Sequence, residues 1–126
     1  MNWTRIALVL AAFYGMTGVM LGALGAHALK KVLSERLLAS FTVGTRYQMY
    51  HALFLLLLGL LYHQFKSPLL SASIVLAGLG VLLFSGSIYL LALMRWTFLG
   101  PVTPLGGLCF IASWLLLLIA AFRLSL

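Results

Sequence analysis

Four long apolar segments dominate this chain and restrict what it can fold into. Each approaches or exceeds the about 20 residues that an α-helix needs to cross a hydrocarbon layer about 30 Å thick. The second segment is the shortest and reaches that length only with amphipathic residues from its N-terminal end. We therefore predict four membrane-spanning helices. The segments are 6–29, 52–65, 69–93 and 105–122.

The composition agrees with a membrane protein and argues against one that binds nucleic acid. Hydrophobic residues make up 64% of the 126 residues and charged residues only 7%, whereas soluble domains carry about 25% charged residues. Eight Lys and Arg against one acid give a net charge of +7, but the cations lie singly in predicted loops and at helix ends. We expect anionic lipid headgroups as their partners, and no nucleic acid. The single cysteine, Cys109, is expected to pack as a small hydrophobic residue.

Helix and turn signals predict a single membrane domain, 1–126, with short connections. Apolar residues recur every four positions from Leu29 to Phe41, which predicts a short amphipathic helix in the membrane interface. A solvated surface loop is the alternative, and Gly44 is expected to end the segment. Short turns favour antiparallel neighbours and hence an up-down bundle of four helices. The predicted elements are spans at about 4–28, 46–65, 68–94 and 104–123, and an interfacial helix at about 29–42.

Local signals at the helix starts support these bounds. Thr45, with Gln48 three positions on, fits a capping box for the second span. Ser67 and Thr103 each precede a proline, the pattern of an N-cap followed by proline at the first helical position. The first segment could instead be a secretory signal peptide, but the apolar core of such a peptide is 7–15 residues long, and this segment has about 24.

Glycines at helical spacing predict where helices pack closely. In the first span, four glycines recur every three or four residues and so share one face, which lets another helix approach. Further glycines lie in the third span and near the start of the fourth. The predicted packing glycines are Gly15, Gly18, Gly22, Gly25, Gly78, Gly106 and Gly107.

Alternating spans bring polar residues from all four helices to one side of the membrane. Polar groups within hydrocarbon are costly unless paired, so we expect them to face one another and to mark a candidate ligand site. His51 and Ser85 lie about two turns inside their predicted helix ends, about 8–12 Å deep. This side carries five of the eight cations, which favours a cytoplasmic location. The predicted site residues are His27, Arg46, Tyr47, His51, Ser85, Tyr89, Arg95 and Thr103.

These residues also have plainer interpretations. His27 can cap carbonyls at a helix C-terminus, and the arginines can contact lipid phosphates. His51 can bond to Tyr89 or Ser85 and simply hold helices together. Two histidines with no carboxylate or thiolate partner make a poor zinc site, and bis-histidine haem ligation has only geometry in its favour. We predict no metal, no cofactor and no catalytic residue.

Four motifs resemble those of a family of small bacterial membrane proteins. They are Leu-Gly-Ala-Leu-Gly-Ala-His at 21–27, Tyr-Gln-Met-Tyr-His at 47–51, Phe-Ser-Gly-Ser-Ile-Tyr at 84–89 and Thr-Pro-Leu-Gly-Gly at 103–107. In order and spacing they look like domain-of-unknown-function family 423, the YgdD-like proteins, to which eukaryotic transmembrane protein 256 is related. The resemblance implies a bacterial inner-membrane protein of this size and topology, and it implies no particular activity.

Two functions fit these observations. The first is an accessory or structural protein that self-associates, or docks with a larger membrane complex, through its glycine faces. The alternative is a unit that binds or transports a lipid, a small anion or a proton. That alternative requires a water-accessible polar half-cavity bounded by His27, His51 and Tyr89. A membrane enzyme would need a bound cofactor that the sequence does not specify.

Overall fold

The computed structural model describes residues 2–126, which form helices and short turns with no β-strand. A π-helical segment, Val81–Gly86, joins α3 to α4, so that Pro68–Met94 forms one continuous rod. Single 3₁₀ turns lie at Leu29–Lys31 and Thr97–Leu99. The α-helices are α1 (Trp3–Ala26), α2 (Glu35–Phe65), α3 (Pro68–Gly80), α4 (Ser87–Met94) and α5 (Val102–Arg123).

Side-chain caps define three of the helix starts. The Asn2 side chain accepts a hydrogen bond from the backbone N–H of Arg5 at the start of α1. Ser67 caps α3 with Pro68 in the first turn, as its sequence predicts. The start predicted from Thr103 is wrong, because α5 begins at Val102 without a side-chain cap. The Thr103 hydroxyl bonds to Ser87 of α4 instead.

The start of α2 is the largest difference from the predicted elements. Ser34 caps α2, and the helix continues through Gly44 without a break, so no separate helix covers 29–42. Thr45 does not cap either, since its hydroxyl donates to the Thr42 carbonyl within the helix. Gly44 is tolerated because α4 packs against it: an added Cβ would lie 2.9 Å from a ring carbon of Tyr89. This contact explains why a glycine stands inside a long helix, where it costs about 1 kcal/mol relative to alanine.

The helices pack as four antiparallel rods, with α2 and the α3–α4 rod in the middle. Two glycine contacts give the register of the α1–α2 pair. Gly59 of α2 faces Ala7 of α1, and Gly25 of α1 faces Phe41 of α2. The two helices therefore run alongside each other over nearly the whole of α1. On the far side of the molecule, α5 packs along α3 and the π-helical segment.

The outer surface is apolar on α1, on the α3–α4 rod, on α5 and on the second half of α2, whereas the first half of α2 carries exposed charged residues such as Arg36 and Arg46. Large side chains such as Met20 and Ile111 are more than half exposed, at 63% and 65%, and soluble monomers rarely expose apolar surface on this scale. Three helical stretches are long and apolar enough to cross a membrane: Trp3–Lys31, Pro68–Met94 and Thr97–Arg123. The longest helix, α2, is not among them, because polar residues along its length lower its mean hydropathy.

Candidate functional site

Gln48 of α2 is the centre of a buried polar network. Its side chain is 3% exposed and bonds to two other helices. The amide nitrogen donates to the Tyr14 carbonyl at 2.9 Å and to the Thr17 hydroxyl at 2.8 Å, both on α1. The amide oxygen accepts a hydrogen bond from the Tyr89 hydroxyl of α4 at 2.6 Å. Both N–H donors and the carbonyl of this amide are thus satisfied inside the protein.

His51 lies one turn further along α2 and connects to α5. Its Nε2 lies 3.1 Å from Nε1 of Trp114, and an indole N–H can only donate. Nε2 is therefore the acceptor, so the proton of the neutral ring is on Nδ1, which donates to the Tyr47 carbonyl at 2.8 Å. The ring also stacks on Phe110, with centroids 3.6 Å apart. The predicted partners, Tyr89 and Ser85, are wrong, because the His51 side of α2 faces α5.

Ser85 connects the π-helical segment to α2. It is fully buried, and its hydroxyl donates to the Gly44 carbonyl at 2.7 Å. On the neighbouring face of the rod, the Tyr14 hydroxyl donates to the Gly78 carbonyl at 2.9 Å. Each of these bonds joins a side chain of one helix to the backbone of another.

Serine and threonine hydroxyls join the rod to α5. Ser73 and Ser113 are fully buried and bond reciprocally: the Ser73 hydroxyl donates to the Ser113 carbonyl at 2.8 Å, and the Ser113 hydroxyl donates to the Ser73 carbonyl at 2.7 Å. Ser87 and Thr103 bond through their hydroxyls near the start of α5. Hydrogen bonds between side chains at helix interfaces contribute about 0.6 kcal/mol on average in a membrane protein.

The structure brings together about half of the predicted site residues. Ser85 and Tyr89 bond to α2, and His51 of α2 bonds to α5. The Tyr47 ring packs against Phe84 with centroids 5.2 Å apart. Thr103 lies apart, with Ser87. The remaining three predicted residues are exposed and outside the network: His27, Arg46 and Arg95.

The network lies near the middle of the molecule and not at one end. His51 comes 16 residues after the start of α2 and 14 before its end, about 24 Å and 21 Å along the axis. For His51, the predicted 8–12 Å from its helix end is wrong because α2 begins at Glu35 and not near residue 46. Ser85 lies nine residues before the end of α4 at Met94, about 14 Å along the axis and close to its predicted distance. On α1, the contact partners Tyr14 and Thr17 also lie close to the helix midpoint.

The predicted packing glycines divide by what lies opposite them. An added Cβ at Gly18 would come 2.6 Å from the Met49 sulfur, and at Gly25 3.0 Å from the Phe41 ring. At Gly22 it would meet no atom within 4 Å. The others face protein atoms at various distances: Gly15 faces Ala52 at 4.0 Å, Gly78 faces Leu10 at 3.1 Å, Gly106 faces the Phe84 backbone, and Gly107 faces the Phe84 ring at 3.9 Å.

The sequence comparisons agree with the resemblance stated above. The family model described as "Protein of unknown function (DUF423)" matches residues 21–107. The UPF0382 inner membrane protein YgdD of Escherichia coli K12 is 40% identical over 122 residues, covering 97% of this chain and 93% of that protein. The chain belongs to the DUF423 family. A UPF0382 membrane protein of Staphylococcus haemolyticus is 41% identical, covering 94% of this chain and 97% of that protein. The UPF0382 membrane protein YwdK of Bacillus subtilis is 38% identical, with 94% and 98% covered. No solved structure matches.

The DUF423 match includes only part of the polar network. Gln48, His51 and Tyr89 lie within residues 21–107, whereas their partners Tyr14 and Trp114 lie outside them. Neither Gln48 nor Trp114 is among the predicted site residues. The signal for Gln48 is an amide within an otherwise apolar helix, which needs a partner when it is buried. No comparable signal exists for Trp114, because an aromatic residue in an apolar segment is ordinarily lipid-facing or packed.

Within this DUF423 chain, the chemistry of the network is that of helix association. Every buried side-chain nitrogen or oxygen among residues 2–126 has a hydrogen-bond partner. The same residues contain no group of three or more His, Cys, Asp and Glu that could hold a metal ion. Gly15 of α1 faces Ala52, the residue after His51, so Gly15 and His51 lie at about the same level. His27, at the end of α1, lies 12 residues beyond Gly15, about 18 Å along the helix axis. His27, His51 and Tyr89 therefore do not bound a common pocket.

Proposed function

We propose that this chain is a four-span protein of the bacterial inner membrane with an accessory or structural role. In this proposal the spans are α1, α2, the α3–α4 rod and α5, arranged up and down in one domain. Relatives named membrane or inner membrane proteins support the location. The apolar outer surface supports it independently, because such a surface is compatible with lipid and not with water.

The fourth span is argued from the pairing of α1 and α2. The contacts from Gly59 to Ala7 and from Gly25 to Phe41 place α2 alongside α1 over nearly its whole length. If α1 crosses the membrane, α2 crosses with it. The charged residues in the first half of α2, such as Arg36 and Arg46, are exposed. Further along the helix, the polar residues Gln48 and His51 face inward and are each 3% exposed. The outward residues of the same half, such as Leu53 and Leu57, are apolar and exposed.

The accessory role rests on one observation: the buried polar groups of residues 2–126 are all partnered within the protein. Polar groups inside a membrane protein mark ion and substrate pathways or hold helices together. Here their hydrogen bonds are made between helices of the same chain, which favours the second use. The association that we propose, either with further copies of the chain or with a larger membrane complex, uses the exposed apolar faces of the helices.

The surface for this association differs from the one that the glycine spacing predicts. Met49 and Phe41 of α2 already cover Gly18 and Gly25, so the glycine face of α1 is used inside the chain. The outward faces of α1 and α5, which carry Met20 and Ile111, are left for a partner within the membrane.

Native mass spectrometry of the protein extracted with its surrounding lipid by a styrene–maleic acid copolymer tests this role. We expect a complex of defined stoichiometry, larger than the monomer, from the wild-type chain. Met20→Trp or Ile111→Trp should reduce that complex without changing the helical circular dichroism, since neither side chain is packed inside the protein. A wild-type chain that is monomeric at every concentration, with no stoichiometric partner, would contradict the accessory role.

A further inference from the structure

A groove lies between the C-terminal half of α1 and the first turns of α2. Its volume is about 310 Å³, at the lower end of the roughly 300–1,000 Å³ of ligand pockets. Gly22 and Gly25 form part of the α1 wall, and Phe41 forms part of the α2 wall. The ring of Phe41 closes the groove toward the interior, because it packs directly against Gly25.

Gly22 is the residue at which the groove is most open. A Cβ added at Gly18 or Gly25 would meet an α2 side chain at 3.0 Å or less, but at Gly22 it would meet nothing within 4 Å. No helix of this chain therefore makes use of the missing side chain at Gly22. The space that it leaves is part of the groove.

The groove combines an apolar floor with a single positive charge. Lys30 is the one charged residue among those that line it. The lining hydroxyls of Thr42 and Thr45 each donate to a carbonyl of α2 at 2.9 Å, so they do not need a ligand. The sequence contains only one acid, Glu35, against eight Lys and Arg. The charge of the groove is therefore complementary to an anion.

The charge and the apolar floor lie at different depths. Lys30 follows the end of α1, which is Ala26. Gly22 lies four residues before that end, about 6 Å further along the helix axis. In the membrane orientation that the proposed function requires, Lys30 lies at the level of the lipid headgroups and Gly22 lies in hydrocarbon.

We propose that this groove binds one anionic glycerophospholipid, with its phosphate at Lys30 and an acyl chain over Gly22. In such a lipid a negative headgroup is followed by an apolar chain, which matches a groove in which the positive Lys30 is followed by apolar surface. Basic residues near the membrane surface attract anionic lipid, and the groove adds a fixed place for one chain. The inference rests on the proposed membrane insertion, which cysteine labelling tests separately, so that the two can fail independently.

The test is native mass spectrometry of the intact protein in detergent micelles that contain dioleoylphosphatidylglycerol. We expect one lipid retained per chain, and less retention of the zwitterionic dioleoylphosphatidylcholine. Lys30→Ala should lower retention of phosphatidylglycerol about fivefold, the equivalent of about 1 kcal/mol per basic residue near the membrane surface. Gly22→Leu should lower it as well, because the leucine side chain takes up space in the groove, beginning with a Cβ that meets no atom within 4 Å.

Two neighbouring substitutions are matched controls. Lys31→Ala removes a cation from the same 3₁₀ turn, and Ala23→Leu places a leucine on the exposed side of α1; neither residue lines the groove. Both should bind lipid as the wild type does. Equal losses in Lys30→Ala and Lys31→Ala, or equal retention of the two lipids, would overturn the proposal in favour of diffuse surface charge. A dimer that disappears in Gly22→Leu would overturn it in favour of a second copy. Because Lys30 is exposed, its variant remains a test even if Gly22→Leu fails to fold.

Discussion

Gln48 makes hydrogen bonds to both α1 and α4 from a position that is 3% exposed. Its spacing from Thr45 instead predicts a capping residue at a helix start. The sequence shows polar residues within an apolar segment, and such residues must pair when they are buried. A paired polar group in this part of α2 can therefore be predicted. The rotation of α2 about its axis cannot, because it is set by contacts with three other helices. Rotation decides that Gln48 meets Tyr89 and that His51 meets Trp114.

Replacement of Gln48 by leucine should therefore destabilise the protein. The leucine keeps much of the volume but leaves the partly buried Tyr89 hydroxyl without its Gln48 acceptor, at a cost of about 1–3 kcal/mol in the free energy of unfolding. Reversible unfolding in mixed micelles measures this change. Gln64→Leu, an exposed glutamine on the same helix, should change stability by less than about 0.5 kcal/mol. Adding Tyr89→Phe to Gln48→Leu should recover part of the loss. Equal stability of the two leucine variants would show that the network does not stabilise the fold.

At the scale of elements, the apolar segments predict most helix positions, and the exceptions have local causes. Pro68 and Ser67 start α3 where the sequence indicates, because a cap and a proline act within one turn. Gly44 acts differently. Its helix-breaking tendency is worth about 1 kcal/mol, which is outweighed when α4 packs on it. The segment from Glu35 to Gly44 is therefore the start of α2 and not a separate helix.

The contact of α5 with the π-helical segment makes a sharp prediction about two adjacent glycines. An added Cβ at Gly106 would lie 2.7 Å from the Phe84 Cα and closer still to its backbone nitrogen, whereas at Gly107 it would meet only the Phe84 ring at 3.9 Å. Backbone atoms cannot move aside as a side-chain tip can. Gly106→Ala should cost about 1–3 kcal/mol through overpacking, while Gly107→Ala should be neutral or stabilise by up to about 1 kcal/mol through helix propensity.

Thermal unfolding of the two alanine variants, followed by circular dichroism in the same detergent, measures this difference. The same substitution at adjacent positions of one helix removes most effects of composition. If Gly107→Ala were as destabilising as Gly106→Ala, the close approach of α5 to the Phe84 backbone would not be what requires glycine at residue 106.

At the scale of the whole molecule, the polar and apolar residues are distributed as a lipid environment requires. Apolar side chains cover most of the outside, and the hydrogen-bonded side chains Gln48, His51, Ser73 and Ser85 are each 3% exposed or less. The apolar segments in the sequence predict this arrangement in outline. The antiparallel register of α1 and α2 adds what hydropathy alone does not provide, namely that α2 crosses wherever α1 crosses. The proposed count of four spans rests on that pairing.

Accessibility of single cysteines tests the four-span topology. In a chain with Cys109→Ser, cysteines replace four exposed residues, Val32, Gln64, Phe98 and Ser125, and a membrane-impermeant maleimide is added to spheroplasts. Four spans place 32 and 98 on one side and 64 and 125 on the other. Because five cations lie on the side of residues 32 and 98, we expect that side to be cytoplasmic and protected until the membrane is permeabilised. The opposite labelling pattern would reverse the orientation and leave the four spans intact. Labelling of 32 and 64 from the same side would mean that α2 does not cross, and the four-span proposal would then be wrong.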